Sequence, residues 1–341
     1  MRRVRGFVLA CVALIAPLAL AQSVAVTSRG VIVAHDRVIE LFDANTLKSL
    51  WKVEGVDDPG EIVVDNDCCQ VAVLDPVANS AAIVDVQSGK ATVINTGETP
   101  TGGIYIDHQL YILERDARAL ERIGADGARA SIKTGAGPQL LAVSGKDLVV
   151  YSAVTGGLQV IDTATFTVAR EMKVAAFASA MVADDKYAYL VYPYRAVLGF
   201  VDLVKMEYAG DGKAGSLPMD LKIVNHPTIL TARTMAIADQ TGNRVIQFEG
   251  RQGASEAFVR GFLRGAIGLR LYGGAAKMPA GVDRLASHSA HWVAYDSFNG
   301  ALYRARLRRV DELAKGIGPR SFAIGDDAVY VWQNGTLVAQ K

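Results

Sequence analysis

PQLLAVSGKDLVVYSAVTGGLQVIDTATFTVAREMKV, residues 138–174, is followed closely by ASAMVADDKYAYLVYPYRAVLGFVDLVKMEYAG, residues 178–210. The two segments are copies of one unit. Each has a short apolar strand, a tight polar turn, a second apolar strand, a looser turn, a third strand ending in Asp, and a fourth strand. Asp162 and Asp202 close the third strands at matching positions of the two copies. Short runs of apolar, β-branched and aromatic residues bounded by Gly, Asp and Ser read as strands joined by hairpins. The unit is therefore a four-stranded antiparallel sheet, and the chain is all-β.

The first hairpin of this unit recurs along the chain, with turns at Thr27, Asp65, Asp107, Ser144, Asp184, Thr231, Ser287 and Asp326. The interval is nearly constant until late in the chain, where it lengthens before Thr231 and again before Ser287. A period of roughly 40 residues signals a repeat architecture. A sheet that is apolar on both faces cannot bury them alone. Arranged radially, each sheet packs against two neighbours, and closure of the ring protects the edges. Strands packed on both faces read as continuous apolar runs, as Leu148 to Tyr151 and Tyr187 to Tyr192 do. The expected fold is a β-propeller, with strand A of each blade innermost and strand D outermost. Eight hairpins favour eight blades. Seven is the alternative, if Val24 to Val26 completes the three-stranded last unit, Ser321 to Gln340. The tight TSRG turn ties Val24 to Val26 to the strand after it and favours eight.

An Asp ends the third strand in VIELFD (Asp43), AAIVD (Asp85), LQVID (Asp162) and GFVD (Asp202). A carboxylate there can accept backbone N–H bonds from the following turn. Unit three has Ile123 instead, and units six to eight read without the Asp. LQVIDTATFTV and AAIVDVQSGKATVI resemble repeats of the YVTN/YncE-like β-propellers. RVIELFDANTLKSLWKV resembles the PQQ-type, WD40-like repeat, in which an Asp, a Thr and a Trp (here Asp43, Thr46 and Trp51) tie neighbouring blades together. Only unit one carries the Trp form. The resemblance covers most of the chain after residue 21 and implies the fold. It implies little about activity, because propellers host many unrelated functions.

The first 21 residues stand apart. Arg2, Arg3 and Arg5 precede an apolar run from Phe7 to Leu20, and Ala19-Leu20-Ala21 forms an A-x-A cleavage site. This is the pattern of a secretory signal peptide, and it places the protein in the periplasm or outside the cell. Too few apolar residues precede Cys11 for a lipoprotein leader. Residues 22–341 are expected to form one domain. No later stretch is long and apolar enough for a spanning helix. Removing the three leader arginines takes the formal charge from +1 to −2, which offers no broad basic surface for nucleic acid. One segment breaks the repeat: residues 250–281 are long and rich in Gly and Arg. They read as an outer strand plus an extended loop, with helical spacing over 255–263. Long loops within compact domains are often functional, so a role at one mouth of the propeller is the sharper reading.

Candidate chemistry is sparse. Cys68 and Cys69 are adjacent, and export would put them where disulfides persist. They read either as a strained vicinal disulfide or as two free thiols opening a strand. His288 and His291 have a metal-like spacing but lack a third local ligand; His35, His108 and His226 sit at strand ends or turns, where a surface imidazole satisfied by solvent is expected. No metal ligands are assigned. Asp57-Asp58, Asp65-Asn66-Asp67, Asp184-Asp185 and Asp326-Asp327 suggest calcium, but three of these four are explained as turn residues. Asn334-Gly335 matches a glycosylation sequon with Thr336, and between two strands it reads as a type I′ turn. No nucleophile elbow, P-loop or dinucleotide fingerprint occurs. Tyr192, Tyr194 and Arg195 form a candidate recognition patch on a turn between strands B and C.

These observations favour a non-catalytic binding or scaffold module with no cofactor. Its partner would be an envelope protein, a glycan or a small molecule, held on one face or in the central channel. The alternative is a periplasmic enzyme. Some PQQ-dependent alcohol dehydrogenases set a vicinal disulfide against their cofactor, so Cys68 and Cys69 motivate a quinoprotein with PQQ and calcium. A lactonase-type propeller is a further enzyme reading. No catalytic residues can be assigned for either.

Overall fold

The computed structural model describes residues 22–66, 68–213, 218–224, 226–231, 234–239, 242–247, 282–288, 291–296, 300–306, 309–318 and 320–340. The leader, residues 1–21, and the irregular segment at 250–281 lie outside them. Among the described residues the strands form eight antiparallel sheets, seven of four strands and one of three, each a simple up-and-down meander. Each sheet is a blade. Strand A of every blade lies against strand A of the next. Strand A of blade 8 (Phe322–Ile324) lies against strand A of blade 1 (Gln22–Thr27), so the ring closes.

Burial follows position in the blade. In blade 1, strand B (Gly30–His35) is buried throughout, whereas strand D (Ser49–Glu54) is exposed or half-buried along its length. Leu148 to Tyr151, in strand B of blade 4, are all fully buried. This is what sheet-on-sheet packing on both faces requires. Most core clusters among the described residues are shared by two blades: Ile32, Leu41, Val73 and Val84 join blades 1 and 2, and Tyr151, Leu158, Leu190 and Tyr192 join blades 4 and 5.

The strand-end aspartates shape the turns between strands C and D. Asp43 Oδ1 accepts from the Thr46 amide at 2.7 Å and its hydroxyl at 2.8 Å. Asp85 does the same with Ser88, and Asp162 and Asp202 accept from Thr165 and Lys205. These amide bonds hold all four carboxyls below the usual carboxylate range. The next carbonyl then faces the preceding blade. Val86 O receives Trp51 Nε1 at 3.0 Å, and Leu203 O receives Arg170 at 2.7 Å. Thr163 O receives Arg122 and Ala44 O receives Tyr330, both at 3.3 Å. Trp, Arg and Tyr thus fill one structural role, which is why a Trp appears in only one repeat. Trp51 also lies over Gly89 of blade 2, where a β-carbon would come within 2.9 Å of the indole.

Three expectations need correction. The hairpin at Thr231 joins strands B and C of blade 6, not A and B. The A–B turn of that blade lies between Val224 and His226. With this register the interval before it returns to that of the earlier blades, and the long one falls where residues 248–281 enter. Strand C of blade 6 (Thr234–Asp239) then does end in Asp. Second, the seven-blade alternative fails: Val24 to Val26 pair with Val31 to Val33 inside blade 1. Third, His35 is not a surface histidine. It is buried at the seam and stacks on Trp332 of blade 8 with ring centroids 4.5 Å apart. The Asn334-Gly335 pair forms the expected turn, with φ of 53° and 75°, the double-positive geometry of type I′.

Candidate functional site

An up-and-down meander puts all A–B and C–D turns on one face of the ring and all B–C turns on the other. The chemistry-bearing side chains gather on the first face, over blades 1 to 3.

Blade 2 contributes its A–B turn, between strand A (Ile62–Val64) and strand B (Gln70–Asp75). Asp65 opens the turn and is buried, with 4% of its surface exposed. Cys68 and Cys69 follow, unbonded to each other in this structure. Their sulfurs lie 2.7 Å apart. The Cys68 side chain, then burial, push the Cys69 thiol up to about 11.

Blade 3 contributes the two-residue turn Asp107-His108, joining strand A (Pro100–Ile106) to strand B (Gln109–Glu114). Both residues have positive φ, 48° and 60°. That left-handed geometry is uncommon outside glycine but enriched in Asp and His, and it matches the twist of a tight hairpin. Here His108 Nδ1 lies 2.9 Å from Asp65 Oδ2. Asp65, Cys68 and His108 each bring one ligand atom into a group whose members lie within 4.8 Å of one another. Beneath them, the buried hydroxyl of Tyr105 has no hydrogen-bond partner among the described residues. Burial, then the Asp65 charge, push its ionisation far above the usual phenol range.

Two clefts flank this group. One, of about 350 Å³, lies between blades 1 and 2 and is lined by Ser28, Arg29, Cys68, Cys69, Val86 and Gln87. The other, of about 470 Å³, lies along blade 3 and carries Asp107, Arg122, Asp126 and Arg129. This grouping of Asp65, Cys68 and His108 joins residues that are distant in sequence. His108 lies 43 residues from Asp65, about one blade. Equivalent turns of consecutive blades are neighbours in space, so a His one period after a Cys- and Asp-bearing turn was the available signal.

The patch expected on the opposite face is largely packing. Tyr192 is fully buried between blades 4 and 5, so it cannot serve recognition. Tyr194 is 39% exposed, and its hydroxyl donates to Ala176 O at 2.6 Å. Arg195 pairs with Asp211 at 2.8 Å. The side chains of His288 and His291 are outside the described residues; their backbones pair across the A–B hairpin of blade 7.

No family model matches the chain, and no curated protein is similar to it in sequence. Solved structures are similar to it in fold. Dihydro-heme d1 dehydrogenase NirN, solved in complex with DHE, superposes with a TM-score of 0.62 at 13% identity, over 87% of this chain and 66% of NirN. BamB from Moraxella catarrhalis gives 0.62 at 11% identity, over 93% and 92% of the two chains. Virginiamycin B lyase from Staphylococcus aureus gives 0.56 at 11%, over 86% and 94%. Likeness at these identities is likeness of architecture: the chain is a β-propeller.

Proposed function

We propose that the protein is an exported propeller of the YVTN/YncE-like kind that acts as a binding module, using the A–B face of blades 1 to 3. The observation that carries this reading is the cleft of about 350 Å³ between blades 1 and 2, with Arg29 on one wall and two thiols on the other. Its size falls at the small end of ligand sites, which favours a small molecule, or one unit of a glycan, over a broad protein surface. Arg29 is exposed and gives the cleft its cationic wall residue, suited to an anionic group on the ligand.

The quinoprotein alternative fits less well. Calcium takes six to eight oxygen ligands, roughly. The grouped donors among the described residues are one carboxylate, one thiol and one imidazole. That set does not suit calcium, and no step through PQQ is built on it.

The test is a thermal-shift panel of small anions, sugars and envelope glycans on the secreted form of the protein. A hit should lose its shift in Arg29→Ala and Gln87→Ala but keep it in Arg195→Ala, on the opposite face. A hit indifferent to both cleft variants would refute this face as the site. A panel with no hit, but with uptake of PQQ and turnover of an alcohol, would favour the enzyme.

A further inference from the structure

We propose that Asp65, Cys68 and His108 form a zinc-class metal site that bridges blades 2 and 3. The inference stands on the geometry of these three side chains and does not depend on what the neighbouring cleft binds.

The donors are one carboxylate oxygen, one sulfur and one imidazole nitrogen, all within 4.8 Å of one another. Sulfur with imidazole and carboxylate suits Zn²⁺, whereas calcium and magnesium prefer oxygen alone. Around a tetrahedral zinc, with bonds of about 2.0 to 2.3 Å, neighbouring ligand atoms sit roughly 3.3 to 3.7 Å apart. His108 Nδ1 and Asp65 Oδ2 are at 2.9 Å, the spacing of a shared hydrogen. A metal replacing that hydrogen would move the two atoms apart by only about half an ångström. His108 is half exposed on a two-residue turn and Cys68 is exposed, so both have room to adjust. Three protein ligands leave a fourth position for water or a ligand group.

A catalytic triad is the competing use of Cys, His and Asp. In a triad the imidazole stands between its partners, one nitrogen to each. Two hydrogen bonds and the ring would put sulfur and carboxylate roughly 7 Å apart. Here the three donor atoms converge instead. Convergence is what a cation needs and what a proton relay does not.

The binding step balances. Zn²⁺ binds Cys68 as thiolate, releasing one proton to solvent. It binds His108 through Nδ1, and the ring hydrogen moves to Nε2. The ion's two positive charges are matched by one carboxylate and one thiolate.

The experiment uses the untagged secreted form, stripped with a chelator and kept reduced. Zn²⁺ is titrated calorimetrically, and Co²⁺ serves as a spectroscopic stand-in. One equivalent of Zn²⁺ should bind. The Co²⁺ form should show a sulfur-to-metal charge-transfer band together with the intense visible bands of four-coordination. Cys68→Ser should abolish the charge-transfer band. His108→Asn, which keeps a residue tolerant of positive φ, should weaken binding at least about 100-fold, the upper range for loss of even an outer partner. Cys69→Ser should bind as the parent does. Because Cys68 and His108 are exposed turn residues, the variants should keep the parent's circular dichroism. The assignment is overturned if the parent takes up no metal. It is overturned equally if Cys68→Ser and His108→Asn bind unchanged, or if Cys69→Ser alone loses the band.

Discussion

The ring closes without a shared strand: blades 1 and 8 are separate sheets of four and three strands, joined by packing and by hydrogen bonds such as Val24 N to Arg320 O at 2.8 Å. Trp332 is the largest side chain in that seam. It is 5% exposed, stacks on His35, and lies 5.8 Å from Phe42, centroid to centroid. Val24, Val31, Val33, Ala328, Tyr330 and Leu337 complete the cluster. Trp332→Ala would leave a cavity between two blades that are not covalently adjacent. Truncation of a buried Trp costs about 3 to 5 kcal/mol, of which the two aromatic contacts supply about 1. We expect about 4 kcal/mol. For a chain of 341 residues, an unfolding entropy of about 2.1 cal/mol/K per residue gives roughly 0.7 kcal/mol/K, so Tm should fall by about 6 °C. Urea unfolding followed by circular dichroism measures the loss. Hydrogen exchange should show the extra opening in blades 1 and 8 first. Val338→Ala, at an exposed position of the same blade, should stay within about 0.5 kcal/mol. A Trp332→Ala cost under about 1 kcal/mol, or exchange that loosens blades 3 to 5 instead, would refute the claim that this seam limits ring stability.

Two tyrosines at the interface of blades 4 and 5 should respond oppositely to loss of their hydroxyls. Tyr151 donates to Ala175 O at 2.8 Å and accepts from Ala178 N at 2.9 Å, so Tyr151→Phe should cost about 2 kcal/mol in urea unfolding. The buried Tyr192 hydroxyl has no partner among the described residues, so Tyr192→Phe should be neutral or stabilising by up to about 1 kcal/mol; equal losses in the two would count against the assignment. Glu114, 4% exposed, accepts from the Gly97 amide at 2.6 Å. Burial, reinforced by Glu121 beside it, raises its carboxyl from 4.5 to about 7. A raised carboxyl stabilises the fold in its protonated form. Stability from this group is therefore full below pH 4.5 and is lost as pH rises through about 7, by at most about 3 kcal/mol. Glu114→Gln should flatten unfolding free energy across that window, and a slope unchanged from the parent would sink the idea.

Much of this molecule was legible in its sequence because the repeat is local. Apolar strands, polar turns and a strand-end Asp recur at a near-constant interval, and each follows from rules acting over a few neighbouring residues. Asp43, Asp85, Asp162 and Asp202 are read correctly as turn acceptors for that reason. The Thr231 register is read wrongly for the same reason, since one apolar hairpin looks like the next and only pairing decides which strands they are. What the sequence could not show lies between blades. That Trp51, Arg122, Arg170 and Tyr330 do one job is visible only when each meets a carbonyl on the next sheet. That Asp65, Cys68 and His108 converge is visible only once two turns a full repeat apart are set side by side. Hairpins are specified by near neighbours, whereas a site on the face of a ring is assembled by the rotation that carries one blade onto the next.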